Sequence, residues 1–508
     1  MTLCRLTLEA RFACRVLCFT SKTGTEAQGP GIRGSPATAL RGHEVRNRKR
    51  AAAAAFIVDL LAFRPPPFPT MYWISKSIHW LSKLRRRGLI LLAVLGPGII
   101  TMVADNDAGG ISTYAQTGAK TGFSLLWIFI ILVPMAYYVQ EMTVRLGAVT
   151  KRGHAEAIFD GFGPFWGWFS IFDLALINWL TLVTEYIGMT QAMRIFAIPE
   201  WITFFGVTLL MFSIVMSGQY WTFEKLTLVF CLFNLVYIPA AIWAMQTGNV
   251  AEGWTAVGRG FWPQFSSYVG FTPAMLITLI MANIGTTITP WQIFFQQSAV
   301  VDKGMDVRDI KFGKIDTFAG SLLTGIVAAF IIIATAGVFF YHPGQPIPVE
   351  SAAQTAEQMP KLMPAHHWGE WARVLFAIGL FDAGLLGALC ISLSTSWAIG
   401  EVFGWAHSLN KSVREAPWFY AVYLLMLMSA GCVSLVASTR VQDAITVFVQ
   451  VVAVTLLPAA LVFLILLLND KPLMGEYVNT RWQNFANWAI VVFVIVVSTI
   501  FGISVLYS

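Results

Sequence analysis

Charged residues are scarce in this sequence. Asp, Glu, Lys and Arg make up only 12% of the 508 residues, whereas hydrophobic residues make up 56%. A soluble globular domain carries about 25% charged residues, and a large soluble chain still needs a polar surface. Apolar stretches of roughly 20 residues, the length that crosses a bilayer, recur along the chain. The composition excludes one water-soluble domain and predicts an all-α, polytopic membrane protein in a lipid bilayer.

Motifs of several other protein classes are missing. The six cysteines show no C-x-x-C spacing and the apolar runs hold no His-x-x-His pair, so neither a zinc site nor a disulfide framework is expected. A P-loop is also missing, which argues against nucleotide-driven pumping. Much of the net charge of +7 lies near the N-terminus and in short loops, where it indicates membrane orientation rather than nucleic-acid binding. We expect neither an enzyme nor a cofactor.

The first 70 residues differ from the rest of the chain. They are rich in Arg and Ala, poor in acidic residues, and end in a proline-rich stretch. Two interpretations of residues 1–70 stay open: a disordered extension, or a start codon assigned too early with Met71 as the true beginning.

Eleven apolar runs after Met71 are predicted to be transmembrane helices. They lie near residues 88–117, 122–147, 164–190, 198–217, 224–246, 270–299, 316–340, 372–404, 417–437, 442–468 and 485–506. Cytoplasmic loops are enriched in Lys and Arg, and most loop cations share one side if the N-terminus is cytoplasmic. These are Lys83, Arg85, Arg86, Arg87, Arg145, Lys151, Arg152, Lys303, Arg308, Lys311, Lys314, Lys411, Arg414, Lys471 and Arg481. We expect a multi-pass protein of the plasma (inner) membrane with a cytoplasmic N-terminus.

Two of these runs are interrupted in the same way. In the first, Gly96–Gly98 leads into Asp105–Gly110; in the sixth, Ala282–Gly285 leads into Thr286–Pro290. Glycine and proline are unfavourable in the interior of a helix. Carboxylates near the bilayer centre cost several kcal/mol unless they have a partner or a function. Both runs are therefore predicted to be broken helices.

The breaks occupy corresponding positions in two five-helix units. We place these units at 88–246 and 270–468, followed by one additional helix at 485–506. Paired breaks are typical of inverted-repeat transporters, whose substrate site forms at mid-membrane between unwound helices. Carbonyls freed by unwinding, together with carboxylates and hydroxyls, are suitable ligands for a cation. The alternative is that Asp107 only pairs with a neighbouring helix and Pro290 only bends one.

Six short fragments occur in an order and spacing that resemble one family. They are Gly96–Gly98, Gln116–Ala119, Arg145–Thr150, Glu185–Gly188, Ser298–Val301 and Leu473–Asn479. From about Gly88 to the C-terminus, the chain is similar to the NRAMP family of divalent-metal transporters. The resemblance implies a leucine-transporter-like fold with helices 1 and 6 broken. It also implies metal transport, usually proton-coupled and usually of manganese or iron.

The resemblance further implies a set of ion ligands. The family's first-helix motif, DPGN, falls on residues 107–110, so Asp107 is kept and the asparagine ligand becomes Gly110. Its sixth-helix motif, a methionine followed by Pro-His, falls on residues 289–291. There the methionine becomes Thr289 and the histidine becomes Trp291. A glutamine that the family uses on the tenth helix matches Gln450.

The expected cation site contains only oxygen ligands. We predict binding between Asp107, Gln450, the hydroxyl of Thr289 and backbone carbonyls around Ala104 and Thr286. Without the methionine thioether the site has no soft ligand, and its oxygen ligands suit the hard cations magnesium, calcium or manganese. Magnesium also tends to keep several of its waters. We therefore favour magnesium or manganese over iron, and in lacking the methionine the chain resembles the family's magnesium-transporting branch.

The sequence leaves more than one role open for four residues near these ligands. We predict that four residues contact the ligands without binding the ion themselves: Asp105, Asn106, Gly110 and Trp291. Asp105 and Asn106 could also take the place of the lost ligands. The alternative for Asp105 is that it only caps the broken helix.

Proton coupling is predicted to be weak or absent. A proton route needs titratable groups, and most of the family's groups are replaced. Glu185 is kept, but the acidic position three residues earlier is Leu182, the sixth-helix histidine is Trp291, and the ninth span lacks arginine. Glu185 is then either a proton relay or a structural partner.

Three rival functions use the same residues. A carrier of a small organic solute such as an amino acid is expected to have little fixed negative charge in its binding site. A metal sensor would bind without transport. An intramembrane aspartyl protease would need a dyad, for which Asp107 and Asp382 are candidates, although each precedes its glycine rather than following it. Asp105 and Asp107 favour a divalent metal cation as the substrate.

Overall fold

The computed structural model describes residues 96–506, except 248–249, 251, 264–270, 344–345, 348 and 364–366. The predictions for residues 1–70, for the start of the first span and for Lys83, Arg85, Arg86 and Arg87 lie outside these residues. Within the described ranges the regular structure is entirely helical. The α-helices are α1 (Pro97–Ala104), α2 (Ala108–Thr121), α3 (Ile128–Thr150), α4 (His154–Phe162), α5 (Pro164–Arg194), α6 (Glu200–Val215), α7 (Tyr220–Phe233), α8 (Tyr237–Thr247), α9 (Trp254–Gly260), α10 (Pro273–Thr287), α11 (Pro290–Asp302), α12 (Ile310–Thr335), α13 (Ala352–Leu362), α14 (Trp368–Phe403), α15 (Pro417–Val436), α16 (Thr439–Asn469), α17 (Lys471–Met474) and α18 (Arg481–Leu506).

Each of the eleven predicted spans has a helical counterpart in this set. In the part of the chain that the structure describes, nine helical segments are long and apolar enough to cross a membrane, and α6 is a shorter apolar helix. The first predicted span corresponds to α1 and α2, which are too short to be counted singly. The protein is thus an integral, multi-pass, all-α membrane protein.

The two largest differences between predicted and observed helix boundaries are at the second and seventh spans. The second span begins at Ile128 rather than at 122, because Gly122 ends α2 with a φ of +60° and residues 122–127 form turns. A left-handed glycine just after a helix is a common helix terminator. The seventh helix begins at Ile310 rather than at 316, since polar residues before the apolar run continue the helix.

Proline sets where several of the long helices begin. It occupies the first helical position of α1, α5, α10, α11 and α15. At this position the missing N–H breaks no helical hydrogen bond and the fixed φ already matches a helix. For α11 this proline is Pro290, so the residue that interrupts the sixth span also starts its second half.

The helices pack into one bundle around the two interrupted spans. Helix α5 packs along α14, α12 packs along α1, α2 and α3, and α10 packs along α16. Interfaces of this kind need small residues for close approach in a membrane. A Cβ on Gly188 of α5 would collide with Ala108, and a Cβ on Gly98 of α1 would lie 2.6 Å from the backbone nitrogen of Thr317.

Loops that were predicted to share one membrane face lie together. The Lys151 ammonium, after α3, lies 2.6 Å from the Asp306 carboxylate, after α11. Arg145 near the end of α3 donates to the Asn479 side chain at 2.7 Å, and Lys314 of α12 pairs with Glu141 of α3 at 2.8 Å. These contacts agree with the predicted clustering of cationic loops at one end of the bundle.

Candidate functional site

The first break is a short irregular segment between α1 and α2. Helix α1 ends at Ala104, and α2 begins after Asp107, whose backbone is extended. The Oδ1 atom of Asp107 accepts a hydrogen bond of 2.6 Å from the backbone N–H of Gly110. This is the bond of a helix N-cap. The side chain that caps α2 is therefore that of Asp107 rather than that of Asp105.

Both breaks free a backbone carbonyl at the position predicted to bind a cation. In a continuous helix the Ala108 N–H would donate to the carbonyl of Ala104. Here that N–H donates instead to Oε2 of Glu185, at 3.0 Å. The carbonyl of Thr286 would take its helical bond from residue 290, which is Pro290 and has no N–H.

Three of the predicted ligands come together where the two breaks face each other. The Gln450 amide nitrogen lies 3.5 Å from Oδ1 of Asp107. A Cβ on Gly110 would collide with the Thr286 hydroxyl and would lie 3.2 Å from Oδ1 of Asp107. A Cβ on Gly285 would collide with the backbone carbonyl of Gln450. Glycines at 110 and 285 therefore allow α2, α10 and α16 to converge on Asp107.

Several oxygen atoms in this region are buried and accept no hydrogen bond from the described residues. They are Oδ2 of Asp107, Oγ1 of Thr286 and Oε1 of Gln450, and each of these residues is at most 1% exposed. An unpaired polar atom in a protein interior is costly. Carboxylate, hydroxyl and amide oxygens are also the ligands that hard cations prefer.

The oxygen set differs from a preformed chelate of acidic and imidazole groups. Among the described residues, no cluster of three or more His, Cys, Asp or Glu side chains has the geometry to hold a metal ion. A cation beside Asp107 would therefore have at most two carboxylate ligands and would take its remaining ligands from neutral oxygens of the amide, hydroxyl and carbonyl type. Such a donor set fits a weakly held, partly hydrated hard cation better than a tightly bound structural zinc.

Thr289 and Trp291 lie at the start of α11. The Thr289 N–H donates to Oε1 of Gln292 at 3.3 Å, while its hydroxyl is buried. The Trp291 ring is fully buried and packs edge-on against Phe295, with ring centroids 6.1 Å apart. In the described part of the chain, neither the Thr289 hydroxyl nor the Trp291 indole N–H hydrogen-bonds to Asp107.

Asn106 and Glu185 hold the first break in place. The Asn106 amide donates to the Thr324 carbonyl of α12 at 3.4 Å. Glu185 of α5 accepts from Ala108 through one oxygen and from the Thr184 hydroxyl, at 3.3 Å, through the other. These bonds fit the role of a structural partner for Glu185. The neighbouring position that the family keeps acidic is Leu182, which is fully buried.

One residue that contacts the broken helix was missed from the sequence. Asp316 of α12 accepts hydrogen bonds from the backbone N–H groups of Gly96, Gly98 and Ile99, at 3.0, 2.7 and 3.3 Å. It caps the start of α1 across more than two hundred residues. The only available signal was an acidic side chain at the start of the seventh apolar run.

Asp382, the second candidate of the protease hypothesis, hydrogen-bonds elsewhere in the bundle. The Asn234 amide between α7 and α8 donates to Oδ2 of Asp382 at 3.3 Å. This bond matches the common role of an intramembrane aspartate as a partner between helices. It leaves Asp107 with different neighbours, namely Gly110 and Gln450.

Comparison with solved structures places this arrangement in a known fold. The chain is similar to the Eremococcus coleocola manganese transporter, with a TM-score of 0.67 and 21% sequence identity over 81% of this chain and 86% of that one. It is also similar to MhsT in complex with L-phenylalanine, with a TM-score of 0.54 and 14% identity over 80% of this chain and 98% of that one. The fold is leucine-transporter-like, as predicted.

Sequence relatives cover nearly the same length. The divalent metal cation transporter MntH of Listeria monocytogenes serotype 4a (strain HCC23) is 26% identical over 420 residues, which span 80% of this chain and 89% of the relative. MntH of Staphylococcus saprophyticus is 27% identical over 420 residues, or 79% and 90% of the two chains. The model of the Nramp family, described as natural resistance-associated macrophage protein-like, matches residues 98–504. The chain belongs to the Nramp family.

Proposed function

We propose that this chain is a secondary transporter of divalent metal cations that works by alternating access. The observation that carries the proposal is the convergence of Asp107, Gln450 and Thr286 on two facing helix breaks, with unpaired oxygens buried among them. In folds with two broken helices, rocking of one bundle exposes a mid-membrane site to each side in turn. The names of the MntH relatives support a metal cation as the cargo.

The ligand set favours a hard cation. The side-chain ligands proposed around Asp107 offer oxygen atoms to an ion, since Thr289 stands where the family has a methionine thioether. Oxygen donors suit manganese and magnesium better than softer transition metals. The relatives named above support manganese or divalent cations in general rather than magnesium. We therefore propose manganese first, with magnesium as the competitor to test.

The Asp107 cap argues against an organic solute such as an amino acid. In related folds, a substrate carboxylate binds the free N–H groups at the start of a half-helix. Here the Asp107 carboxylate already occupies the start of α2, because it accepts a hydrogen bond from the Gly110 N–H. A second carboxylate at this place would meet like charge. The similarity to MhsT is one of fold alone and gives no opposing argument.

Transport without strong proton coupling follows from the groups around the site. Glu185 is held by the Ala108 N–H and the Thr184 hydroxyl, and Leu182 and Trp291 cannot exchange protons in the physiological range. We also propose a cytoplasmic N-terminus in the plasma (inner) membrane. The clustering of Lys151, Arg145 and Lys314 at one end of the bundle supports this orientation.

Ion uptake into proteoliposomes tests the proposal. Purified protein would be compared with Asp107→Ala for uptake of Mn²⁺, Mg²⁺ and Ca²⁺, with internal pH recorded and L-phenylalanine uptake as a parallel assay. We expect saturable divalent flux that Asp107→Ala abolishes, without matching acidification. Acidification in proportion to flux would contradict weak coupling. Binding without flux would favour a sensor, and amino-acid uptake without metal flux would favour the organic-solute carrier.

A further inference from the structure

Asp105 is a buried carboxylate without a hydrogen-bond donor. It is fully buried at the end of α1, and neither of its oxygens has a partner among the described residues. The other carboxylates near the breaks do have donors: Asp107 has Gly110, Glu185 has Ala108, and Asp316 has Gly98. An ionised carboxylate in a protein interior is tolerated only when it is paired or bound to a metal.

The groups around Asp105 are anionic or neutral. The charged group that acts on the Asp105 carboxylate is the carboxylate of Asp107, the predicted cation ligand. The ring of Tyr114 is within electrostatic range of both aspartates, and its hydroxyl lies beside Thr286 and Thr287. These neighbours supply oxygen atoms but no positive charge.

Capping does not account for Asp105. The first turn of α2 is capped by Asp107 through the Gly110 N–H, and Asn106 is tied to α12 through Thr324. The backbone carbonyl of Asp105 faces the same space, since a Cβ on Gly110 would lie 3.2 Å from it and next to the Thr286 hydroxyl. The break thus presents a second carboxylate whose side chain has no structural hydrogen bond.

We propose that Asp105 is a second carboxylate ligand for the transported ion and sets the preference of the site for two positive charges. One divalent cation between Asp105 and Asp107 balances two carboxylates, whereas a monovalent ion would leave one buried charge uncompensated. Two carboxylates also supply the oxygen ligands that a hard divalent ion needs. This inference rests on the proposed function, because it assigns a ligand within the same transport site.

Equilibrium binding of Mn²⁺, followed by the electron paramagnetic resonance signal of free Mn²⁺, tests the inference without relying on flux. The detergent-purified full chain would be compared with Asp105→Asn, Asp105→Glu and Asp382→Asn. Asn has the shape of Asp and removes only the charge, so it breaks no hydrogen bond at residue 105. Asp382→Asn is the matched control, because it makes the same change at a buried aspartate that is hydrogen-bonded to Asn234.

We expect Asp105→Asn to weaken Mn²⁺ binding by at least about tenfold, the lower end of what a change around a metal site costs. Asp105→Glu keeps the charge and should bind more tightly than Asp105→Asn, while Asp382→Asn should stay within about twofold of the unchanged chain. Equal binding by Asp105→Asn and Asp382→Asn overturns the inference but leaves the proposed function standing. No binding of Mn²⁺ by the unchanged chain, with no binding of Mg²⁺ in a parallel titration, overturns both. If Asp105→Asn fails to fold, Asp105→Ala replaces it, because it also removes the carboxylate: weakened Mn²⁺ binding by the folded variant supports the inference, and unchanged binding overturns it.

Discussion

The backbone N–H of Ala108 donates to Oε2 of Glu185, 3.0 Å away on a different helix. In a continuous helix the Ala108 N–H would donate to the Ala104 carbonyl. The bond to Glu185 replaces that bond, and it lies next to the predicted cation ligand Asp107. A Cβ on Gly387 of α14 would lie 3.0 Å from the same Glu185 oxygen and 3.1 Å from Asp107 Cβ. Glu185 thus holds the break open from α5 while α14 packs closely behind both residues.

Substitution of Glu185 should separate a structural role from a proton relay. Glu185→Gln keeps an acceptor for the Ala108 N–H, so we expect metal binding and flux to stay within about threefold of the unchanged chain. Glu185→Ala leaves that N–H buried and unpaired, at a cost of about 1–3 kcal/mol, and should lower both thermal stability and flux. Thermal unfolding and Mn²⁺ uptake measure the two effects. Loss of flux in Glu185→Gln with unchanged stability would point to a relay instead.

Gly285 is predicted to be needed for the contact between α10 and α16. A methyl group there would collide with the backbone carbonyl of Gln450, and overpacking of this kind costs about 1–3 kcal/mol. Gly285→Ala should therefore lower the melting temperature in detergent and weaken ion binding. Gly206→Ala in α6 is the matched control, because a Cβ there meets nothing within 4 Å. Equal melting temperatures for the two variants would contradict the close approach of α10 to Gln450.

Asp316 is predicted to fix the start of α1 to α12. Asp316→Ala would leave the three N–H groups of Gly96, Gly98 and Ile99 without their acceptor. Loss of a helix cap costs about 0.5–2 kcal/mol. Asp316→Asn keeps one acceptor oxygen, so its melting temperature should fall between those of Asp316→Ala and the unchanged chain. A melting temperature of Asp316→Ala equal to that of the unchanged chain would show that the cap contributes nothing to stability.

His154 should make stability depend on pH below neutrality. It starts the short helix α4 between two spans, is fully buried against Phe294, and hydrogen-bonds to Gln297 at 3.0 Å. Burial lowers its pKa from 6.5 to about 4. Between these values the unfolded chain binds a proton that the folded chain does not, so stability falls as the pH falls from about 6.5 to about 4.

The size of this effect is on the order of 3 kcal/mol at most. Melting temperatures between pH 7.5 and 4 would be compared for the unchanged chain and His154→Gln. The difference in stability between the two proteins should shift in favour of His154→Gln as the pH falls. A difference that does not change with pH would show that His154 titrates as it does in the unfolded chain.

The two breaks were accessible from the sequence because proline, glycine and intramembrane aspartate carry local signals. Asp107 and Gln450 are 343 residues apart, and their proximity followed from the family resemblance rather than from periodicity. The cap by Asp316 and the bond from Ala108 to Glu185 were not predicted, since each joins helices through one side chain whose orientation depends on packing. The late start of α3 was missed because the turn after Gly122 is built from apolar residues.

The most direct test of the central claim is the position of a bound cation. Crystals grown with Mn²⁺ would be measured near the manganese absorption edge to locate the ion by anomalous scattering. We expect a peak between the two breaks, within direct bonding distance of Asp107 and close to Gln450, Thr286 and Asp105. A peak only in the cavity of about 440 Å³ that Glu350, Glu357 and Asp443 line, with none beside Asp107, would contradict this site.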